Sequence, residues 1–238
     1  MSSHTKAYLK NQLLAALTDE ETERLQPHLK LVTLTAGEVL KDADEPARYV
    51  YFPLEAVISI ITLMEDGTTI EVGIVGFEGL AGLSALLGGG TTPNQFIVQV
   101  EGTALRIKGD VLAEEFRRGG NLQEFVHKYT QLTITQISQS AACNHVHKIE
   151  ERLCRWLLMM HDRAESGYFS HTQEFLSRML GASRPVVTLA AGALQKAGLI
   201  RYSRGNITIL DREGIEEATC ECYLRVKREY DRFLMELK

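Results

Sequence analysis

The sequence predicts an α+β chain in three parts: a small N-terminal β-roll of the double-stranded β-helix or jelly-roll kind, one long helix, and a C-terminal helix–turn–helix closed by a β-hairpin. Three observations carry this. Between residues 31 and 107, short β-branched and aromatic runs alternate with turn residues. From residue 121 to 164 the pattern turns helical, with Leu122, Phe125, Tyr129, Leu132, Gln136, Gln139 and Cys143 at alternating steps of three and four. From residue 170 to 210 a helix, a glycine turn, a second helix and two strands follow one another. The expected divisions of the 238 residues are 1–120, 121–147 and 148–238.

Each element has its own signal. Residues 10–30 read as one helix, with Leu13, Leu14 and Leu17 on a single face. Strand-like runs follow at 29–34, 49–52, 56–63, 68–75, 95–100 and 103–107. Asp66-Gly67 is the clearest hairpin signal, since that dipeptide supplies the positive φ angles of a tight primed turn. Many short antiparallel strands at this spacing predict a small barrel or jelly roll. The seam of Leu122, Phe125, Tyr129, Leu132 and Gln136 on the long helix needs a cover. The expected cover is a second copy in a parallel two-fold pair, the alternative being the chain's own barrel.

In the C-terminal part, Ser170-His171-Thr172-Gln173 offers a capping box, with Thr172 an equal candidate for the N-cap. Leu176, Met179 and Leu180 form the buried stripe of the first helix, and Gly181 ends it as a left-handed cap. Ser183 is the expected N-cap of the second helix. Pro185 sits in its first turn, where a missing N–H costs nothing. Val187, Ala190 and Leu194 face the first helix, which directs Arg184, Pro185, Thr188, Leu189 and Gly192 outward. Residues 199–210 read as a hairpin tipped by Ser203-Arg204-Gly205-Asn206. Tyr223, Val226, Tyr230, Phe233 and Leu237 mark a last packing helix.

Charge separates these parts. The chain carries a formal −5, but residues 1–120 alone carry −7 and residues 148–214 carry +3. Between residues 172 and 205 the five bases Arg178, Arg184, Lys196, Arg201 and Arg204 stand against one acid, Glu174. Such a local excess suits a phosphate backbone. No apolar run approaches the roughly 18 residues of a membrane span, and acids occupy the place of a signal-peptide cleavage site. Four cysteines, all at or beyond Cys143, are too few and too clustered for a disulfide framework. The expected setting is the cytoplasm, with no membrane partner. No enzyme motif of the G-x-S-x-G, H-E-x-x-H or P-loop kind stands in a credible context, so no catalytic activity is expected.

The stretch Thr172-Gln-Glu-Phe-Leu-Ser-Arg-Met-Leu-Gly-Ala-Ser-Arg184, continuing through Leu194-Gln-Lys-Ala-Gly-Leu-Ile-Arg-Tyr-Ser-Arg-Gly-Asn-Ile-Thr-Ile-Leu-Asp211, resembles the DNA-binding module of the Crp/Fnr family of bacterial transcription regulators. The resemblance extends over nearly the whole chain, as a cyclic-nucleotide-binding-like β-roll, a dimerisation helix and a winged helix-turn-helix. It implies a homodimer on a palindromic duplex DNA operator, modulated by an effector in the roll, with RNA polymerase as a further partner. Arg184 matches the family's base-reading arginine, whose fork suits guanine O6 and N7. Where well-known members carry an acid and a second arginine, this chain has Pro185 and Leu189, so its operator should differ. Leu189 suits a thymine methyl. Thr188 shares the outward face, and Thr172, Gln173, Ser183, Arg201 and Arg204 are candidate phosphate contacts.

The sensor departs from the family pattern. Its cyclic-nucleotide binders hold the phosphate with an Arg-Ser or Arg-Thr pair after a Gly-Glu turn. Here Gly76-Phe77-Glu78-Gly79-Leu80 inverts the Glu-Gly order, and residues 49–105 hold six acids and no lysine, arginine or histidine. The candidate pocket comprises Gly76, Glu78, Gly79, Leu80, Thr91, Thr92 and Asn94, with Ser138 from the long helix. A cyclic nucleotide would find no cationic partner there, and the effector stays unassigned. An iron–sulfur cluster lacks its cysteines in residues 1–142, and haem has only His4 and His28 before the long helix. Cys143 and His147 share a helical face, so a two-fold pair could assemble four metal ligands. C-x-H-x-H is no established ligand spacing, however, and Cys220 and Cys222 would point apart on a helix, so no metal site is assigned. The alternative function is a small-molecule-binding module acting through protein contacts, which the apolar Pro185 and Leu189 would favour.

Overall fold

The computed structural model describes residues 8–88, 90–164 and 168–237. Two short helices, α1 (Gln12–Ala15) and α2 (Asp19–Leu25), with a 3₁₀ turn at Gln26–His28, replace the single helix expected over residues 10–30. The break has a local cause. Asn11 caps α1, and Thr18 with Glu21 forms a reciprocal capping box on α2, a T-x-x-E signal in the sequence.

Among the described residues seven strands build the roll: β1 (Lys30–Leu34), β2 (Val39–Lys41), β3 (Tyr49–Pro53), β4 (Val57–Leu63), β5 (Thr69–Val75), β6 (Asn94–Val100) and β7 (Gly102–Lys108). They form two antiparallel sheets in the orders β1-β7-β3 and β2-β6-β4-β5. Their apolar runs are continuous because both faces are covered. Tyr51, Ile58, Ile60, Phe96 and Val98 fill one core cluster, while Val50, Phe52, Val57, Ile61 and Leu105 join another that includes the helices. Alternation along β4 sends the adjacent Ile60 and Ile61 to different clusters, and the register shift opposite them leaves Val72 of β5 as the extra residue. The β4–β5 turn is not the primed type that Asp66-Gly67 suggests. Gly67 has a positive φ of 84° but Asp66 does not, its carboxylate instead accepting from the Thr68 N–H at 2.8 Å.

Helix α3 (Gly109–Arg118) leads through Gly119 and Gly120 into α4 (Asn121–Val146), the long helix, whose Leu122 N–H donates to Glu21. Helix α5 (Ile149–His161) follows after a break at His147 and Lys148. The C-terminal part contains β8 (Tyr168–Ser170), α6 (Gln173–Leu180), α7 (Arg184–Lys196), β9 (Ile200–Ser203) and β10 (Asn206–Ile209), then α8 (Arg212–Ala218) and α9 (Glu221–Glu236). Strand β8 makes the hairpin a three-stranded sheet ordered β8-β10-β9, one strand more than expected. Helix α9 lies along α4 and α5. No described helix is long and apolar enough to cross a membrane.

Two polar links tie the roll to the C-terminal half. In the first, Arg163, just beyond α5, is paired with Glu78 at 2.8 Å, with both side chains buried. Glu78 also accepts from the Gly76 N–H at 3.1 Å, and the guanidinium stacks over the Tyr230 ring of α9 at 4.4 Å. Tyr230 in turn accepts from Gln136 of α4, whose side-chain oxygen takes the Ile74 N–H of β5. In the second link, Trp156 of α5 donates to Glu71 of β5 at 3.0 Å, and Ser59 and Gln99 donate to the same carboxylate. Burial pushes the Glu71 pKa up from 4.5 to about 7, although these donors favour the ionised form.

Removing one partner of a buried ion pair leaves a charge with neither water nor counterion. Arg163→Ala should therefore lower unfolding stability by about 3–5 kcal/mol in a urea titration, and a loss below about 1 kcal/mol would show the pair to be incidental. For Glu71 the folded chain holds a proton that the unfolded chain has released. Its stabilising contribution is complete below about pH 4.5 and is lost as pH rises through about 7. Relative to Glu71→Gln, the wild-type thermal midpoint should fall across that interval.

Candidate nucleic-acid interface

The helix–turn–helix is set by local chemistry. Thr172 caps α6, accepting from the Phe175 N–H at 3.1 Å, which settles the choice of cap against Ser170, the last residue of β8. Gly181 closes α6 in the left-handed conformation at φ 57°, ψ 43°. Ser183 occupies the N-cap position of α7 with Pro185 in the first turn, but its side chain makes no capping bond. Beneath α6, His171 is buried against Trp156, Phe169 and Phe175, and burial holds its pKa down at about 4, so the ring stays neutral.

Val187, Ala190 and Leu194 are buried under α7, joined by Ala191. That leaves Arg184, Pro185, Thr188, Leu189 and Gly192 exposed along one face, Leu189 at 73%. At Gly192 an added Cβ would meet open space, so the backbone itself is accessible there. Thr172, Gln173, Arg184, Tyr202, Ser203 and Arg204 line a groove of about 470 Å³ between the start of α7 and the hairpin tip. Gln173 and Thr188 are joined by a 2.9 Å hydrogen bond across the two helices. The tip is tight, with Arg204 and Gly205 at φ 52° and 81°. Arg201 is exposed on β9 outside this groove, as is Ser183, which lines a second depression with Asp66–Thr69 of the roll. There the turn between the two helices meets the β4–β5 hairpin, and a Cβ on Gly181 would stand 3.3 Å from Ile70.

The expected sensor pocket is only partly assembled. Leu80, Thr92 and Asn94 line a cavity of about 120 Å³ with Ile60, Ser84, Phe96, Tyr129, Thr133 and Ile137. Ser138 points elsewhere and is exposed, because the wall facing the roll is formed by Thr133 and Ile137, one helical turn apart. Glu78 is occupied by Arg163, and Gly76 and Gly79 serve close packing: a Cβ on Gly79 would stand 2.1 Å from the Tyr129 ring. Thr91 is exposed, in a bridge with Pro46. Among the described residues no cation lines the cavity. Lys41, beside Phe96, uses its three N–H bonds on the carbonyls of Asp42, Thr92 and Asn94. The hydroxyl oxygens of Ser84 and Thr92 are buried without partners. The residues present therefore do not fit the phosphate of a cyclic nucleotide, and the cavity is smaller than the roughly 300–1,000 Å³ usual for such ligands.

The expected dimer seam is covered by its own chain. Leu122, Phe125, Tyr129, Leu132 and Gln136 are all at most 7% exposed, packed on the roll and on α9. Periodicity identified a buried stripe correctly and its cover wrongly. The face of α4 left open runs through His127, Gln131, Ile134, Ser138, Ala141 and His145, again at steps of four and three.

The fold and this interface define a DNA-binding regulator: a winged helix-turn-helix joined by a long helix to a cyclic-nucleotide-binding type of roll. Residues 31–118 match the family model of the cyclic nucleotide-binding domain, and residues 151–218 that of the Crp-like helix-turn-helix domain. Among solved structures, the chain is similar to FixK2 from Bradyrhizobium japonicum at 17% identity and TM-score 0.68, covering 81% of this chain and 98% of that one. It is also similar to TTHB099, a CRP-family transcriptional regulator from Thermus thermophilus, at 18% identity and TM-score 0.66, covering 79% and 95%. A third is the c-di-GMP responsive global regulator CLP of Xanthomonas campestris, at 15% identity and TM-score 0.61, covering 81% and 99%. Comparison with curated protein sequences gives no match. The chain belongs to the Crp/Fnr family of transcription regulators.

Proposed function

We propose that the protein acts as a homodimer that reads the two halves of a palindromic operator, with α7 in the major groove and the hairpin tip on the phosphate backbone. The observation that carries this reading is the position of Arg184. It is exposed at the first residue of α7 and shares one groove with Thr172, Gln173 and Arg204. Arg184 reads guanine, Leu189 meets a thymine methyl, and Thr172, Gln173, Ser183, Arg201 and Arg204 hold phosphates. The dimer forms through the open face of α4 around Ile134, which is 52% exposed and flanked by the small Ser138 and Ala141. An occupant of the roll cavity would be small and uncharged, hydrogen-bonded to the free hydroxyls of Ser84 and Thr92.

Arg184→Ala should weaken binding to a selected operator by about 1–3 kcal/mol and relax preference at one base position. Arg204→Ala should weaken all duplexes alike and make the salt dependence shallower. Fluorescence titrations at several salt concentrations distinguish the two, and unchanged affinity in Arg184→Ala would defeat the reading. Because Leu189 is exposed, Leu189→Ala should alter sequence preference while shifting stability by no more than about 0.5 kcal/mol. Ile134→Asp should turn a dimer into a folded monomer in sedimentation velocity.

A further inference from the structure

Outside the DNA face and the roll cavity, the described residues hold one cluster of soft ligands. Cys143, His147, Cys220 and Cys222 place one ligand atom each within 4.8 Å of all the others, and the three cysteines are buried as a cluster of their own. Cys143 Sγ lies 3.5 Å from Cys220 Sγ, and Cys222 Sγ lies 3.5 Å from His147 Nδ1. These are the edges of a small tetrahedron. With metal–sulfur bonds of about 2.3 Å, neighbouring sulfurs stand about 3.8 Å apart.

We propose that these four residues form a mononuclear Cys₃His site for a thiolate-seeking divalent ion of the zinc class. Cys220 and Cys222 would point apart only if both lay within a helix. Cys220 is instead the N-cap of α9, extended at φ −79°, ψ 163°, so the two sulfurs converge. His147 is likewise the C-cap of α4, and its ring is already oriented: Nε2 faces the Glu221 carboxylate at 3.2 Å while Nδ1 faces the sulfurs. A carboxylate holding the far nitrogen fixes the tautomer that a metal-bound histidine needs. Gln139 donates to Cys222 Sγ at 3.0 Å, as a donor to a bound thiolate would.

On binding, the three thiols release their protons to solvent and the imidazole binds neutral, so three thiolates and one divalent ion leave a single net negative charge. Arg155 and Arg152 lie within electrostatic reach of Cys143 and would offset it. The site would clip the start of α9 to the end of α4, where the chain turns into α5. It is separate from the DNA face, so its success or failure does not depend on the operator reading.

The test loads full-length, chelator-treated, reduced protein with Co²⁺ and then displaces it with Zn²⁺. The expected result is one ion per chain, with the intense visible bands of tetrahedral cobalt and a sulfur-to-cobalt charge-transfer band. Cys143→Ser and Cys222→Ser should lose those bands, with circular dichroism matching that of the metal-free wild type. Cys154→Ser, a buried cysteine outside the cluster, should keep them. Glu221→Gln should bind about 10–100-fold more weakly in competition with a chelating indicator. An octahedral spectrum, equal loss in Cys154→Ser, or a reduced chain that takes up no ion would overturn the proposal.

Discussion

The structure depends most on where the roll obtains its positive charge. Residues 49–105 contain six acids and no base, and two of those acids, Glu71 and Glu78, are buried. A buried carboxylate either keeps its proton, as burial favours at Glu71, or needs a cation, and for Glu78 the fold must supply one. Arg163 does so from the far end of α5, more than eighty residues along the chain. Once that pair forms, the direction of α5, the seat of α9 over the guanidinium and the closeness of Gly76 and Gly79 to their neighbours are all constrained. The Tyr230–Gln136 bond then fixes the long helix in the same network.

The DNA-binding half was the more legible part of the sequence because its signals are local. Thr172, Gly181 and Pro185 act within a few residues of themselves, and Val187, Ala190 and Leu194 need only a neighbouring helix to face. Ser183 likewise stands at the N-cap position of α7 that its place predicts, although its side chain makes no capping bond. Strand β8 was missed because three residues give no periodicity, and its partner β10 lies beyond both helices.

The long helix and the sensor were less legible, for one physical reason. A hydrophobic repeat states which residues want to leave water, not which surface receives them. The stripe through Tyr129 and Gln136 is buried as its spacing requires, yet by β5, the Gly79 turn and α9 rather than by a second copy. Glu78 looked like a pocket residue because its partner is remote in sequence. The sulfur cluster was hidden in the same way, since Cys143 and Cys220 are separated by 77 positions and meet only when α9 returns to the end of α4. Lys41 shows the converse case, a cation near the cavity whose donors are already committed to backbone carbonyls.

The borrowed arginine also bears on how such a molecule can be cut and recombined. Sensor and reader look like separable modules along the chain, yet a fragment ending after the long helix would carry Glu78 without Arg163 and Glu71 without Trp156. A chimera that grafts this roll onto another reader inherits the same two debts. An exchange would therefore have to keep α5, Arg163 and the returning α9 together with the roll, and a unit of folding here is longer than a unit of role.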